Sequence, residues 1–208
     1  MRLRNVKGAS EIIETSEYII NDYKEYKGNF KKIFLNNNPI HIEIGMGKGD
    51  FIIGMAKKYP NINFIGIEKF DSVIVRAIEK IIEDIPNLKL IRMDATEIEE
   101  VFEKEVDTIY LNFSDPWPKN RHEDRRLTSL KFLKRYDNLF ENDKKIIMKT
   151  DNRKLFEYSV VSFTDYNYKI EELSLDLYND DIKDNVATEY EKKFHSLGYP
   201  IYKISVKK

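Results

Sequence analysis

Segments with the apolar patterns of strands and of helices alternate along most of this chain of 208 residues. Such alternation is typical of an α/β fold in which a mainly parallel, twisted sheet carries helices on both faces, because each parallel connection needs a crossover helix. The last two strands follow each other without a clear helix between them, which predicts an antiparallel hairpin at one edge of the sheet. Strands are predicted at residues 40–44, 62–67, 88–93, 106–113, 144–148, 168–175 and 201–206, and helices at 50–59, 72–85, 96–104, 127–140 and 152–163.

The length of the chain fits a single domain, residues 1–208, and its 41% of apolar residues can fill a sizeable core. Residues 1–35 show a weaker periodicity and are predicted to be an N-terminal extension of that domain. Neither a bilayer-spanning apolar run nor a secretory signal is visible, so we expect a cytoplasmic protein without a membrane partner. With no cysteine and only three scattered histidines, no metal site is predicted. The sequence leaves open whether the protein is a monomer or a homodimer.

The net charge of −1 conceals one basic and one acidic segment. Residues 119–135 contain seven basic and two acidic side chains, whereas residues 171–191 contain eight acids and one lysine. Phosphate binding requires a local positive patch and not a positive average. The first segment is therefore a candidate nucleic-acid surface, with Arg2, Arg4 and Lys7 as the next candidates. The alternative is that both segments are ordinary solvated surface.

A glycine-rich turn follows the first predicted strand, with Gly45, Gly47 and Gly49 placed directly after the carboxylate of Glu43. Glycines let the backbone turn tightly and come close to a ligand. The spacing is GxGxG and not the GxGxxG of dinucleotide sites, and a carboxylate before the turn would repel a pyrophosphate. A carboxylate suits the amino group of a methionine moiety instead. The turn is thus a candidate site for S-adenosylmethionine, the alternative being a turn kept only for packing.

Three further acids follow predicted strands at their carboxyl ends, where ligands bind in open α/β sheets. Glu68 lies about 20 residues after the glycine turn, the spacing at which an acid meets ribose hydroxyls. Asp94 can meet an adenine or can cap the helix predicted after it. Asp115 lies in the run DPWP, whose two prolines stiffen the turn. In the same run, Trp117 offers a flat face for a base or a hydrophobic plug.

Four runs of sequence, in this order over residues 43–194, resemble the motifs of bacterial tRNA (guanine-N7-)-methyltransferases: EIGMGKGDF, YLNFSDPWPKNRHEDRRLT, KTDNRKLFEYS and VATEYEKKF. The resemblance implies a Rossmann-like class I methyltransferase fold. It also implies an enzyme that transfers the methyl group of S-adenosylmethionine to N7 of the variable-loop guanine in tRNA. Family members commonly read RHEKRR where this chain has RHEDRR, and Asp124 in place of the lysine lowers the positive charge of that loop.

Together, the glycine turn, the basic segment and the resemblance give the predicted site residues. The resemblance implies that Asp151 and the segment 188–191 handle the target guanine or its tRNA, and Asp115 and Asp151 are the predicted catalytic residues. The predicted cofactor-binding residues are Glu43, Gly45, Gly47, Gly49, Glu68, Asp94 and Asp115. The predicted substrate-binding residues are Lys119, Arg121, Arg125, Arg126, Asp151, Thr188, Glu189, Tyr190 and Glu191.

The chemistry of guanine N7 agrees with this set. The nitrogen carries a lone pair and no proton, so its attack on a sulfonium methyl group needs positioning more than a strong base. The ring gains positive charge as the methyl group arrives, which the carboxylates of Asp115, Asp151 and Glu191 would offset. Two alternatives stay open. One is an amino-group methyltransferase acting on DNA or protein, and the other is an inactive RNA-binding module of the same fold.

Overall fold

The computed structural model describes residues 8–180 and 184–208, which are organised around one seven-stranded sheet. Its strands are β1 (Ile40–Ile44), β2 (Asn63–Glu68), β3 (Leu88–Arg92), β4 (Val106–Asn112), β5 (Phe140–Thr150), β6 (Lys169–Ser174) and β7 (Tyr202–Lys207). The strand order is β3-β2-β1-β4-β5-β7-β6, parallel from β3 to β5, with β7 antiparallel to both β5 and β6. The predicted α/β fold with an antiparallel edge is confirmed. The candidates Arg2, Arg4 and Lys7 lie outside the described residues.

Helices connect these strands on both faces of the sheet. They are α1 (Ala9–Thr15), α2 (Lys31–Phe34), α3 (Asp50–Lys58), α4 (Asp71–Ile78), α5 (Leu130–Tyr136), α6 (Arg153–Asp165) and α7 (Glu189–Ser196). Short 3₁₀ helices cover Tyr23–Tyr26, Ala95–Glu100 and Asn120–Arg125. The second of these replaces the helix predicted at 96–104. In the described ranges, no helix is both long and apolar enough to cross a bilayer.

Two helices are shorter than their sequence patterns predict. The helix expected at 72–85 ends at Ile78, because the chain turns where the N–H of Lys80 bonds to the carbonyl of Ala77. The helix expected at 127–140 is only α5, since Ser129 caps its N-terminus and the next strand has begun by residue 140. Apolar residues that flank these two helices continue the helical spacing in the sequence, although they lie outside the helices.

Helix α7, between β6 and β7, is absent from the predicted elements. Its one buried side chain is that of Glu191, so a search for an apolar stripe does not find it. A different signal was available, because Thr188 and Glu191 stand at the spacing of a helix N-cap and its third residue. The hydroxyl of Thr188 does accept the backbone N–H of Glu191, at 2.9 Å.

The N-terminal extension is joined to the sheet from residue 18 onwards. Ile19 forms a parallel bridge to Leu90 of β3, with backbone hydrogen bonds of 2.7 and 3.0 Å on either side. The carboxylate of Glu105 accepts the backbone N–H groups of Gly28 and Phe30, each at 2.9 Å. Because Phe30 is fully buried, this segment is part of the core.

Two apolar clusters fill the space on the two faces of the sheet. Successive residues of β2 point to opposite faces, so Phe64 joins one cluster and Ile65 the other. Because these strands are parallel, their carboxyl ends lie at one edge of the sheet; β2, β4 and β5 end there in polar side chains, and β1 carries Glu43 as its last residue but one.

Candidate cofactor and substrate site

The glycine turn joins β1 to α3 at this edge, and its glycines are of two kinds. Gly45, Gly47 and Gly49 have positive φ angles of 77°, 56° and 77°, which residues with a Cβ rarely adopt. A Cβ added at Gly45 or Gly47 would meet no atom within 4 Å, whereas at Gly49 it would lie 2.9 Å from the Cβ of Ala77. Gly45 and Gly47 therefore present open backbone, while Gly49 allows α4 to pack closely.

Glu43 is buried at the end of β1 with one of its oxygens unpaired. Its Oε1 accepts a hydrogen bond from Nδ2 of Asn112 at 2.8 Å. Among the described residues, Oε2 of Glu43 and Oδ1 of Asn112 have no partner. Burial raises the pKa of Glu43 to about 8. Buried acceptors without donors are costly, and the ammonium group of S-adenosylmethionine is a donor that would satisfy them. The residues present therefore fit this cofactor.

Glu68, at the end of β2, is hydrogen-bonded to the glycine turn. Its Oε2 accepts the backbone N–H of Gly47 at 3.2 Å, and its Oε1 accepts that of Lys69 at 2.8 Å. Burial raises the pKa of Glu68 above its ordinary value. These bonds fix both the turn and the carboxylate, whose contact with ribose stays a prediction.

Asp94 lies beyond the end of β3 and caps the 3₁₀ helix that follows it. Its Oδ1 accepts the backbone N–H of Thr96 at 2.9 Å, and its Oδ2 pairs with Nζ of Lys69 at 2.5 Å. Burial raises the pKa of Asp94, but the bonds from Lys69 and Thr96 outweigh it and the net pKa is lowered. The capping role considered from the sequence is present, and contact with an adenine stays a prediction.

The loop that carries Asp115 has an unusual backbone. Phe113 and Trp117 both have positive φ angles, of 52° and 40°. Neither is a glycine, and residues in this region cost about 1–3 kcal/mol each and persist only where surrounding contacts hold them. The carboxylate of Asp115 is exposed between them. The loop is thus held in a strained form that presents Asp115 to solvent at the mouth of the site.

Two adjacent arginines contact this loop in different ways. Arg126 is only 9% exposed, and its Nε and Nη2 donate to the carbonyls of Pro116 and Trp117, each at 3.1 Å. Its guanidinium also lies 4.2 Å from the ring centre of Tyr158 in α6. Arg125 is exposed, with its guanidinium 4.9 Å from the ring centre of Trp117. The other predicted tRNA contacts of this segment, Lys119 and Arg121, are exposed.

Asp151 directly follows β5 and lies beside α7. Its Oδ2 accepts the hydroxyl of Tyr190 at 3.4 Å. The N-cap of α6 is its neighbour Asn152, whose side chain accepts the N–H of Leu155 at 2.9 Å. The ring of Tyr190 also lies 5.1 Å from that of Phe113. Asp151 is therefore free of capping, and Tyr190 brings it next to the loop of Asp115.

Glu191 does not face solvent or the open site. It is completely buried, and its carboxylate accepts Nζ of Lys149 at 2.6 Å, Nδ2 of Asn185 at 2.5 Å and the hydroxyl of Tyr178 at 3.2 Å. Burial lowers the pKa of Lys149, whose Nζ also donates to the carbonyl of Val186. Protein groups thus surround the carboxylate that was predicted to contact guanine, and this pair joins α7 to β5.

Glu189 connects α7 to the glycine turn. Its carboxylate pairs with Nζ of Lys48 at 3.0 Å, and Nζ of Lys80 lies 3.7 Å away. The Thr188 side chain is used as the N-cap of the helix. The runs predicted to bind cofactor and those predicted to bind substrate are therefore neighbours. Within residues 8–180 and 184–208, no group of three or more His, Cys, Asp or Glu side chains could hold a metal ion.

Residues with roles at this edge that the sequence did not single out are Asn112, Lys149 and Phe113. Lys149 directly follows the apolar residues 146–148 of β5 and precedes the Thr-Asp of its run, and a charge placed at the end of a buried apolar stretch is a usable signal. Its partner Glu191 lies 42 residues later, so the pairing itself is visible only in three dimensions.

Comparison with known proteins agrees with this arrangement. Residues 37–204 match the profile of a family described as a putative methyltransferase. The chain is 51% identical to a tRNA (guanine-N(7)-)-methyltransferase of Bacillus velezensis, over 99% of this chain and 96% of the relative. It is 52% identical to one of Listeria monocytogenes serotype 4a, over 100% and 98%. The chain belongs to the tRNA (guanine-N7-)-methyltransferase family. It is an S-adenosylmethionine-dependent methyltransferase.

Solved structures of lower sequence identity support the fold. An antibiotic-related methyltransferase aligns with a TM-score of 0.65 at 17% identity, covering 87% of this chain and 92% of that one. The 16S rRNA methyltransferase KamB aligns with a TM-score of 0.62 at 10% identity, over 86% and 92%. The fold is accordingly that of the Rossmann-like class I methyltransferases, as predicted.

Proposed function

We propose that this protein transfers the methyl group of S-adenosylmethionine to N7 of a guanine in tRNA, in the variable loop. The observation that carries the proposal is the meeting of two sets of residues at one edge of the sheet. On one side lie the open glycine turn and the buried, half-paired Glu43. On the other lie Asp151, which accepts the hydroxyl of Tyr190, and the loop of Asp115, whose Phe113 ring packs against that of Tyr190.

Each set has a distinct task in this proposal. Glu43 accepts hydrogen bonds from the cofactor's ammonium group, and Glu68 keeps the glycine turn open beneath it. When bound, S-adenosylmethionine supplies an electrophilic methyl group on its sulfonium. Asp115 and Asp151 accept hydrogen bonds from the guanine and offset the positive charge that develops on its ring. No base is required, because N7 carries no proton.

The tRNA backbone is proposed to lie over the basic segment. Lys119, Arg121 and Arg125 are exposed around the loop of Asp115, and Lys131 and Lys134 are exposed on α5 beyond them. A local positive surface attracts phosphates although the net charge of the chain is −1. The proposed location is the cytoplasm, and the proposal holds for a monomer or a homodimer.

The test uses the full-length protein, methyl-labelled cofactor and an unmodified tRNA transcript. We expect label at N7 of the variable-loop guanine, and none in a transcript with adenine at that position. Asp115→Asn is expected to lower transfer strongly. Label on the amino groups of DNA or of a protein substrate would support the amino-group methyltransferase instead. A folded protein that does not bind cofactor in calorimetry would support the inactive module.

A further inference from the structure

Arg126 occupies a different position from the exposed basic residues of its segment. Its guanidinium donates to two successive carbonyls, those of Pro116 and Trp117, and Trp117 is one of the two strained residues of the loop. The same guanidinium also contacts Tyr158 of α6, whose ring centre lies 4.2 Å away. A planar fork with several donors suits such two-point binding, which a lysine cannot reproduce.

The helix that Arg126 contacts is the one that begins directly after Asp151. The two predicted catalytic carboxylates therefore sit in separate segments, Asp115 in the loop after β4 and Asp151 in the turn between β5 and α6, and Arg126 connects the first segment to α6. Catalysis by positioning depends on such distances, because a misplacement of about 1 Å can cost 100-fold in rate.

We propose that Arg126 is a positioning residue for methyl transfer: it holds the Asp115 loop against α6 and does not bind tRNA phosphate. This inference rests on the proposed function for its kinetic part only. It assigns separate tasks to two adjacent arginines, since Arg125 has its guanidinium at the surface over the ring of Trp117.

The chain itself supplies a reporter and a control. Trp117 is its single tryptophan, so intrinsic fluorescence reports directly on this loop. Ser162→Ala is the matched control, because the hydroxyl of Ser162 donates to the carbonyl of Thr128 at 2.6 Å and is buried. That bond ties the same segment to the same helix without touching Pro116 or Trp117.

The experiment compares Arg126→Ala, Arg125→Ala and Ser162→Ala in the full-length protein. For Arg126→Ala we expect single-turnover methyl transfer at saturating tRNA and cofactor to fall by about tenfold or more. The slope of log tRNA affinity against log salt is expected to stay unchanged, and acrylamide quenching of Trp117 to increase. Arg125→Ala is expected to lower that slope by about one unit or less. Ser162→Ala is expected to retain the rate and the quenching of the wild type.

Other outcomes would overturn the inference. If Arg126→Ala lowers the slope of log tRNA affinity against log salt as Arg125→Ala does, and keeps the rate at saturation, then Arg126 contacts a phosphate. Equal losses of rate in Arg126→Ala and Ser162→Ala would show a merely structural bond. If Arg126→Ala does not fold, Arg126→Lys replaces it, with an intermediate rate expected and a wild-type rate contradicting. If the wild type methylates no tRNA, the proposed function fails, while unchanged Trp117 quenching in Arg126→Ala would separately refute the bridge.

Discussion

Glu43 holds a carboxyl group that the fold favours in its protonated form. Folding raises its pKa from 4.5 to about 8 through burial, so the folded protein retains a proton that the unfolded chain releases. The stability that Glu43 contributes is therefore fully present below pH 4.5 and is lost as the pH rises through about 8. Relative to Glu43→Gln, we expect the wild type to lose up to about 1.4 kcal/mol per pH unit in this window.

Urea unfolding of the two proteins between pH 5 and pH 8 measures this difference. The glutamine variant is the suitable reference, because it keeps the shape of the side chain and does not titrate. Buried acids that do not interact with Glu43, such as Glu105, contribute equally to both proteins and cancel in the comparison. Parallel stability profiles, or a wild type that gains stability over Glu43→Gln as the pH rises, would contradict the raised pKa.

Asp151 and Asn152 are adjacent, and the structure gives them different tasks. Because Asn152 is the N-cap of α6, Asn152→Ala is expected to cost about 1 kcal/mol of stability and to keep methyl transfer. Asp151→Asn removes the charge that we propose to lie beside the guanine, so we expect transfer to fall about 100-fold with little change in stability. Single-turnover rates and thermal unfolding of both variants decide this, and a fully active Asp151→Asn would remove Asp151 from the catalytic residues.

At the scale of elements, helix α7 shows why a helix can be missed from the sequence alone. Amphipathic helices are found by apolar spacing, and α7 has a buried glutamate where that method looks for an apolar residue. The run TEYE was recognised by resemblance as a substrate segment, but its second glutamate points into the interior. What decides its orientation is Lys149 on β5, a partner 42 residues away that no local pattern specifies.

Lys149 and Glu191 are expected to stabilise the fold together, so that the effect of replacing one depends on whether the other is present. Removing one partner leaves the other charged and buried, so Lys149→Met and Glu191→Leu are each expected to cost about 3–5 kcal/mol. The double variant leaves no lone charge, and its loss is expected to be smaller than the sum by about 2 kcal/mol or more. Denaturant unfolding of the three variants gives this coupling, and additive losses would contradict it.

For the whole molecule, the order of elements and the class of fold were predictable, because strands buried on both faces show as short apolar runs. The ends of helices were less predictable. Ile82 continues the apolar pattern of α4, although it lies beyond the end of that helix and is 94% exposed. The acids at strand ends were found for a related reason, since parallel strands end at one edge. The difference between Arg125 and Arg126 was not predictable, because both follow the same short acidic run and only packing against Tyr158 separates them.

The charge of the whole chain is unevenly distributed, with a basic segment at residues 119–135. If tRNA binds over the loop of Asp115, Lys119→Ala with Arg121→Ala should lower the slope of log affinity against log salt by about one to two units. The matched control is Lys32→Ala with Lys57→Ala, exposed residues of α2 and α3 near the opposite edge of the sheet. It makes the same change in net charge, so a long-range effect would flatten both slopes equally, whereas a local surface predicts a change only in the first. Filter binding of tRNA between 50 and about 300 mM salt separates these results, and equal slopes in both double variants would place the tRNA elsewhere on the molecule.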